Sequence, residues 1–129
     1  VYLRTDHPLA EQESIGPQEL REQPLILSRQ LLHDRVFEHW LGEDTAKLDI
    51  RSTYNLAYNA AFLAEKRLGL LLAFAGLVPL GTSAHPDLTF RPLSPTLSFH
   101  NYLIWKKGQV FSRAAAIVHA RLEDAFGRD

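Results

Sequence analysis

Cysteine and methionine are both missing from this 129-residue chain. Without a thiol there is no disulfide, no zinc–thiolate centre and no cysteine nucleophile. With no methionine even at position 1, the chain reads as a piece of something larger. It also lacks an excess of charge. Fourteen Lys and Arg against fifteen Asp and Glu leave a formal net charge of -1, so no global field draws the chain onto nucleic acid. No apolar run approaches the roughly 18–20 residues needed to span a bilayer. The longest, residues 68–80, is interrupted by Gly69, Gly76 and Pro79. The opening Val1-Tyr2-Leu3-Arg4-Thr5-Asp6 has neither the basic nor the apolar region of a signal peptide.

Catalytic signatures are missing as well. There is no Gly-x-Ser-x-Gly elbow, and the surroundings of Gly69, Gly76 and Gly81 form neither a P-loop nor a dinucleotide fingerprint. His7, His33, His39, His85, His100 and His119 are scattered, with no pair at the i, i+4 spacing of a helical metal site. The acidic neighbours Glu11 with Glu13 and Glu43 with Asp44 fall in polar, loop-like stretches and read as solvated. No catalytic residue, metal or cofactor is expected.

What remains is an ordinary globular composition, 46% hydrophobic and 22% charged, in a chain long enough for one domain with its own core. A short β-type run, residues 1–4, ends at Asp6-His7-Pro8. Pro17 opens a short helix and Pro24 stops it. Leu25-Ile26-Leu27-Ser28 has the length and apolarity of a buried strand. Leu32, Val36, Phe37, Trp40 and Leu41 then fall at helical spacing, with Gly42 where a helix C-terminus wants it.

Residues 47–52 alternate like a half-covered strand. Residues 56–68 predict a helix with Lys66 and Arg67 in its last turn and Gly69 as its stop. Leu70-Leu71-Leu72-Ala73-Phe74 reads as another buried strand, and residues 88–91 and 102–105 as two more. Ser112 caps a final helix that places Ala115, Val118, Leu122 and Ala125 on one face and stops at Gly127. Trp40 and Trp105 are expected to pack. This alternation predicts an α/β fold, a mainly parallel sheet with helices on both faces.

In such sheets ligands bind beyond the carboxyl ends of the strands. Two strand-to-helix turns suit that role. Ser28-Arg29-Gln30 offers a hydroxyl, a guanidinium fork and an amide, a set suited to a carboxylate. Ser52-Thr53-Tyr54-Asn55 offers three hydroxyls and an amide. Ser28 and Asn55 could equally be helix caps and Arg29 a solvated charge. Lys106-Lys107 reads as a solubilising pair or as neighbours of a ligand anion.

Thr5-Asp6-His7-Pro8-Leu9-Ala10 followed by a helix and Pro24-Leu25-Ile26-Leu27-Ser28-Arg29-Gln30 resembles the effector-binding part of LysR-type transcriptional regulators. The likeness continues through residues 56–78, Leu88-Thr89-Phe90-Arg91-Pro92-Leu93, Tyr102-Leu103-Ile104-Trp105 and Phe111-Ser112-Arg113-Ala114-Ala115. It covers essentially the whole chain, each motif soft but the order specific.

The resemblance implies a periplasmic-binding-protein-like fold of type II, two α/β subdomains hinged around a small effector. Residues 1–107 would be the second subdomain, and residues 108–129 a C-terminal helix packing on a first subdomain not in this chain. By position, the effector-facing residues would be Ser28, Arg29, Gln30, Thr53, Tyr54 and Asn55. It further implies a cytoplasmic, non-enzymatic sensor that forms homo-oligomers and reaches DNA only through a helix-turn-helix absent from this chain. A fragment of a solute-binding protein of the same fold is the alternative. The apolar face of the last helix adds an expectation of self-association.

Overall fold

The computed structural model describes residues 1–100 and 102–127. It divides into two compact units, Val1–Ser98 and Phe99–Asp129. The last two residues of the expected 108–129 segment lie outside the described residues.

The first unit is a single sheet of five strands, β1 (Tyr2–Arg4), β2 (Leu25–Ser28), β3 (Ile50–Tyr54), β4 (Leu70–Leu71) and β5 (Leu88–Phe90), in the order β3-β2-β4-β1-β5. β2 pairs in parallel with β3 and with β4. β1 runs antiparallel to both of its neighbours, β4 and β5. Four strands therefore share one direction and β1 alone opposes them, so the sheet is mainly parallel, as the alternating pattern predicts.

Side-chain alternation along these short strands makes two cores, one on each face. Leu3, Leu25, Leu27, Leu70 and Leu72 join the first, with Leu9, Leu20, Phe37 and Leu41. Those last residues come from a 3-10 turn (Pro8–Glu11), α1 (Pro17–Arg21) and α2 (Arg35–Leu41). Tyr2, Ile26 and Leu71 join the second, under Ala57, Ala60, Ala61 and Ala64 of α3 (Ala57–Glu65). Burial on both faces is why the strands read as continuous apolar runs rather than as alternating ones. Alanines every three or four residues let α3 lie close on the sheet.

Helix ends follow local chemistry. The Asp34 carboxylate accepts from the Phe37 amide at 2.9 Å, and Gly42 closes α2 in the left-handed region at φ +69°. The helix begins at Arg35 rather than at Leu32 because Asp34 holds the cap, directly after His33 at φ +66°.

Other expectations need correction. The strand expected over 47–52 forms at Ile50–Tyr54, since Asp44 caps a 3-10 turn at Thr45–Lys47 that occupies the first part of the stretch. α3 ends at Glu65, and Arg67 at φ +65°, not Gly69, takes the left-handed position. Gly69 serves a different need: a Cβ there would stand 2.6 Å from the Pro24 carbonyl oxygen. Within the stretch expected as a strand, only Leu70–Leu71 is strand. Leu72 keeps one ladder bond, its amide donating to the Ile26 carbonyl at 3.0 Å. Val36, expected on the packed face of its helix, is 54% exposed.

The second unit holds α4 (Arg113–Phe126), which Ser112 caps by accepting from the Ala115 amide at 3.3 Å, with Gly127 at its end. The strand expected over 102–105 does not form. Those residues join no ladder among the described residues, and a strand without a partner has no hydrogen bonds to hold it. Trp105, expected in a core, is 49% exposed and meets the His119 ring edge-on at 4.3 Å. Phe111 lies 5.0 Å from the same ring, and His119 Nδ1 is 3.3 Å from Glu123.

Candidate functional site

The four co-directional strands bring their carboxyl ends to one edge of the first unit. Strand order reverses there: the chain leaves β2 to form β3 on one side, then returns past it to form β4 on the other. A reversal of this kind opens a crevice at the strand ends, the usual ligand position in open α/β sheets.

The two turns singled out in the sequence meet at this edge. Ser28 is in register with Tyr54 and Leu27 with Thr53, and the Arg29 amide donates to the Tyr54 carbonyl at 3.1 Å. Ser28, Thr53 and Tyr54 are half-buried, while Arg29, Gln30 and Asn55 are exposed. Neither Ser28 nor Asn55 acts as a helix cap. α2 is capped by Asp34, and α3 starts after Leu56, which has no side chain to accept a bond. Among the described residues, the side chains of Ser28, Arg29, Gln30, Thr53 and Asn55 make no hydrogen bond, so their donors and acceptors are available. The uncapped start of α3 adds unsatisfied amides and the positive end of a helix dipole beside Asn55.

Tyr54 behaves differently from its neighbours. Its hydroxyl donates to the Leu72 carbonyl at 2.6 Å. Burial, with Tyr2 adding to it, pushes the phenol up to about 12. Tyr2, from β1, donates in the same way to the Phe74 carbonyl at 3.0 Å. Two tyrosines thus fix the segment Leu72-Ala73-Phe74 where the chain leaves β4, and that segment forms a third wall beside Ser28. The sequence gives little sign of it, because its polar atoms are backbone carbonyls and its clamps come from other strands.

A concavity of roughly 140 Å³ lies at the opposite edge, away from these turns, among Arg4, Asp6, His7 and Arg67. Its charges are already spent on one another. Arg4 holds both Asp6 oxygens at 3.0 and 3.1 Å and Asp87 at 3.2 Å, and Arg67 reaches Asp6 at 2.5 Å. The hydrogen bond from Arg4, with Arg67 adding, holds the Asp6 carboxyl at about 2 against some opposition from burial. That cluster ties β1 to the end of α3 and to the start of β5.

A mainly parallel sheet covered on both faces, with polar turns meeting where the strand order reverses, defines a periplasmic-binding-protein-like ligand-binding domain of type II. Within that class, the chain belongs to the LysR substrate binding domain family, whose model matches residues 1–127. Domains of this family are the effector-sensing modules of LysR-type transcriptional regulators, not enzymes, which sets the solute-transport alternative aside. No curated protein matches the chain. Among the described residues, no helix is long and apolar enough to cross a membrane.

Proposed function

We propose that the carboxyl edge of the sheet binds a small organic anion as the effector of a cytoplasmic LysR-type regulator. Operator contacts belong to a helix-turn-helix segment outside residues 1–129, and the working form is a homo-oligomer. One observation supports this reading above the others: Ser28 at the end of β2 is in register with Tyr54 at the end of β3, so Arg29-Gln30 and Asn55 follow from neighbouring strand ends, with the side chains of both turns unspent apart from Tyr54. Arg29 supplies a planar two-point contact for a carboxylate. Ser28, Thr53 and the first turn of α3 supply neutral donors. Tyr54 acts mainly by holding the wall at Leu72.

Thermal unfolding against a panel of small aliphatic and aromatic carboxylic acids tests the proposal. A ligand at ~100 times its Kd adds about 2.7 kcal/mol to the folded state. The expected result is a selective upward shift that Arg29→Ala and Thr53→Ala each reduce. A shift unchanged in both variants places the ligand elsewhere and ends this assignment.

A further inference from the structure

The concavity opposite the candidate ligand edge has an apolar floor under a charged rim. Ala64, Gly69 and Leu70 of its lining are buried and Pro24 is half-buried. Its volume, roughly 140 Å³, is close to the ~150 Å³ of an apolar cavity that holds one benzene ring.

The rim is charged but balanced. Arg4 and Arg67 face Asp6, and Arg4 also holds Asp87, so two cations meet two anions. Every guanidinium nitrogen of Arg4 is engaged, on Asp6, on Asp87 and on the Glu65 carbonyl. A further charge of either sign finds no free counter-ion there and loses its water against the apolar floor. α3 also ends at this edge, and the negative end of its dipole disfavours an anion further.

Two donors on the rim stay unspent. Arg67 sits at φ +65°, a backbone region usually left to glycine. Strained positions of this kind gather where a side chain is held in one place for a task. Its Nη2 donates to Asp6, while its Nε and Nη1 make no hydrogen bond among the described residues. His7 accepts the Leu9 amide on Nδ1 at 3.1 Å, capping the 3-10 turn. That bond assigns the ring N–H to Nε2, which has no partner among the described residues.

We propose that this concavity is a second ligand site, separate from the carboxyl edge, for a small uncharged molecule. Its apolar body, up to the size of one ring, lies over Ala64 and Leu70, and one oxygen accepts from Arg67 and His7. An amide, a ketone or an alcohol meets that description, whereas a carboxylate or an ammonium does not. A ligand there touches the end of β1, the residue before β2, the end of α3 and the start of β4, and so cross-links four segments of the first unit.

Amide-resolved NMR titration of the 129-residue chain tests this, with benzamide as the neutral probe and benzoate and benzylammonium as charged probes of similar size. Benzamide should shift the amides of Asp6, His7, Gly69 and Leu70 in a saturable way, and both ions should shift them less at equal concentration. Arg67→Gly and His7→Asn should each raise the benzamide Kd about fivefold, the worth of one net hydrogen bond. Glycine suits the left-handed position, and an asparagine oxygen can replace Nδ1 as the cap, so both variants should stay folded. The proposal is overturned if benzamide moves none of these amides, or only those of the Ser28 and Thr53 turns. Equal or tighter binding of benzoate at this edge overturns it too, as does a benzamide Kd unaltered in both variants. Should one variant unfold, the other and the charge preference of the wild type still decide the matter.

Discussion

Tyr54 reaches from β3 across β2 to the Leu72 carbonyl just past the end of β4, so one hydroxyl links β3 to the segment that leaves β4. Its neutral form is the one the fold favours. The stability it contributes is complete below pH 10.0 and is lost as pH rises through about 12. A spectrophotometric alkaline titration should show one late-ionising tyrosine, absent from Tyr54→Phe, and that variant should lose about 1 kcal/mol of stability at neutral pH. Asp6 has the opposite sign. Its carboxyl is lowered from 3.8 to about 2 by Arg4 first, with Arg67 adding. Its stabilising effect is therefore present above 3.8 and disappears as pH falls through about 2. Acid unfolding of Asp6→Asn should be less steep over that interval, and an identical acid limb in both proteins would contradict the role given to the cluster.

At the scale of the element, Gly69 is the position where space rather than dihedral angle decides. The β2 and β4 starts approach so closely that any Cβ strikes the Pro24 backbone, which cannot swing aside as a side chain would. Gly69→Ala should cost about 1–3 kcal/mol, read as a lowered midpoint in urea with an unchanged slope. The sequence marks Gly69 as special but not why, since a glycine needed for a left-handed turn and one needed for close approach look alike. Features with purely local causes were legible: Pro17 at the first turn of α1, Gly42 closing α2, Ser112 capping α4, and the apolar run at β2. The strand expected over 102–105 misled because its aromatic and β-branched residues state a preference, while a ladder requires a partner that no local pattern reveals. The turns at Ser28 and Thr53 could be read from sequence because polar residues directly following apolar strands fall at one edge by construction. The Leu72-Ala73-Phe74 wall could not, since the tyrosines that clamp it, Tyr2 and Tyr54, come from distant parts of the chain.

On the scale of the whole molecule, the first unit buries its apolar residues on both faces of one sheet, whereas the second buries none of α4. Tyr102, Ile104, Val110 and Phe126 are 81%, 86%, 93% and 79% exposed, and Ile117 and Val118 are about half exposed. Surface of this kind favours association, in keeping with a family whose members oligomerise. Sedimentation velocity should show a species that grows with protein concentration, and Val118→Asp should shift the onset to higher concentration. A monomer at every concentration would leave the exposed residues of α4 without this role.

β1 precedes every other strand in the chain, yet it lies between β4 and β5, the last two of the sheet to be made. Its two ladders join Tyr2 to Leu71 on one side and to Phe90 on the other, so the middle of the sheet is closed by contacts of long sequence separation, the kind whose loop-closure cost slows folding.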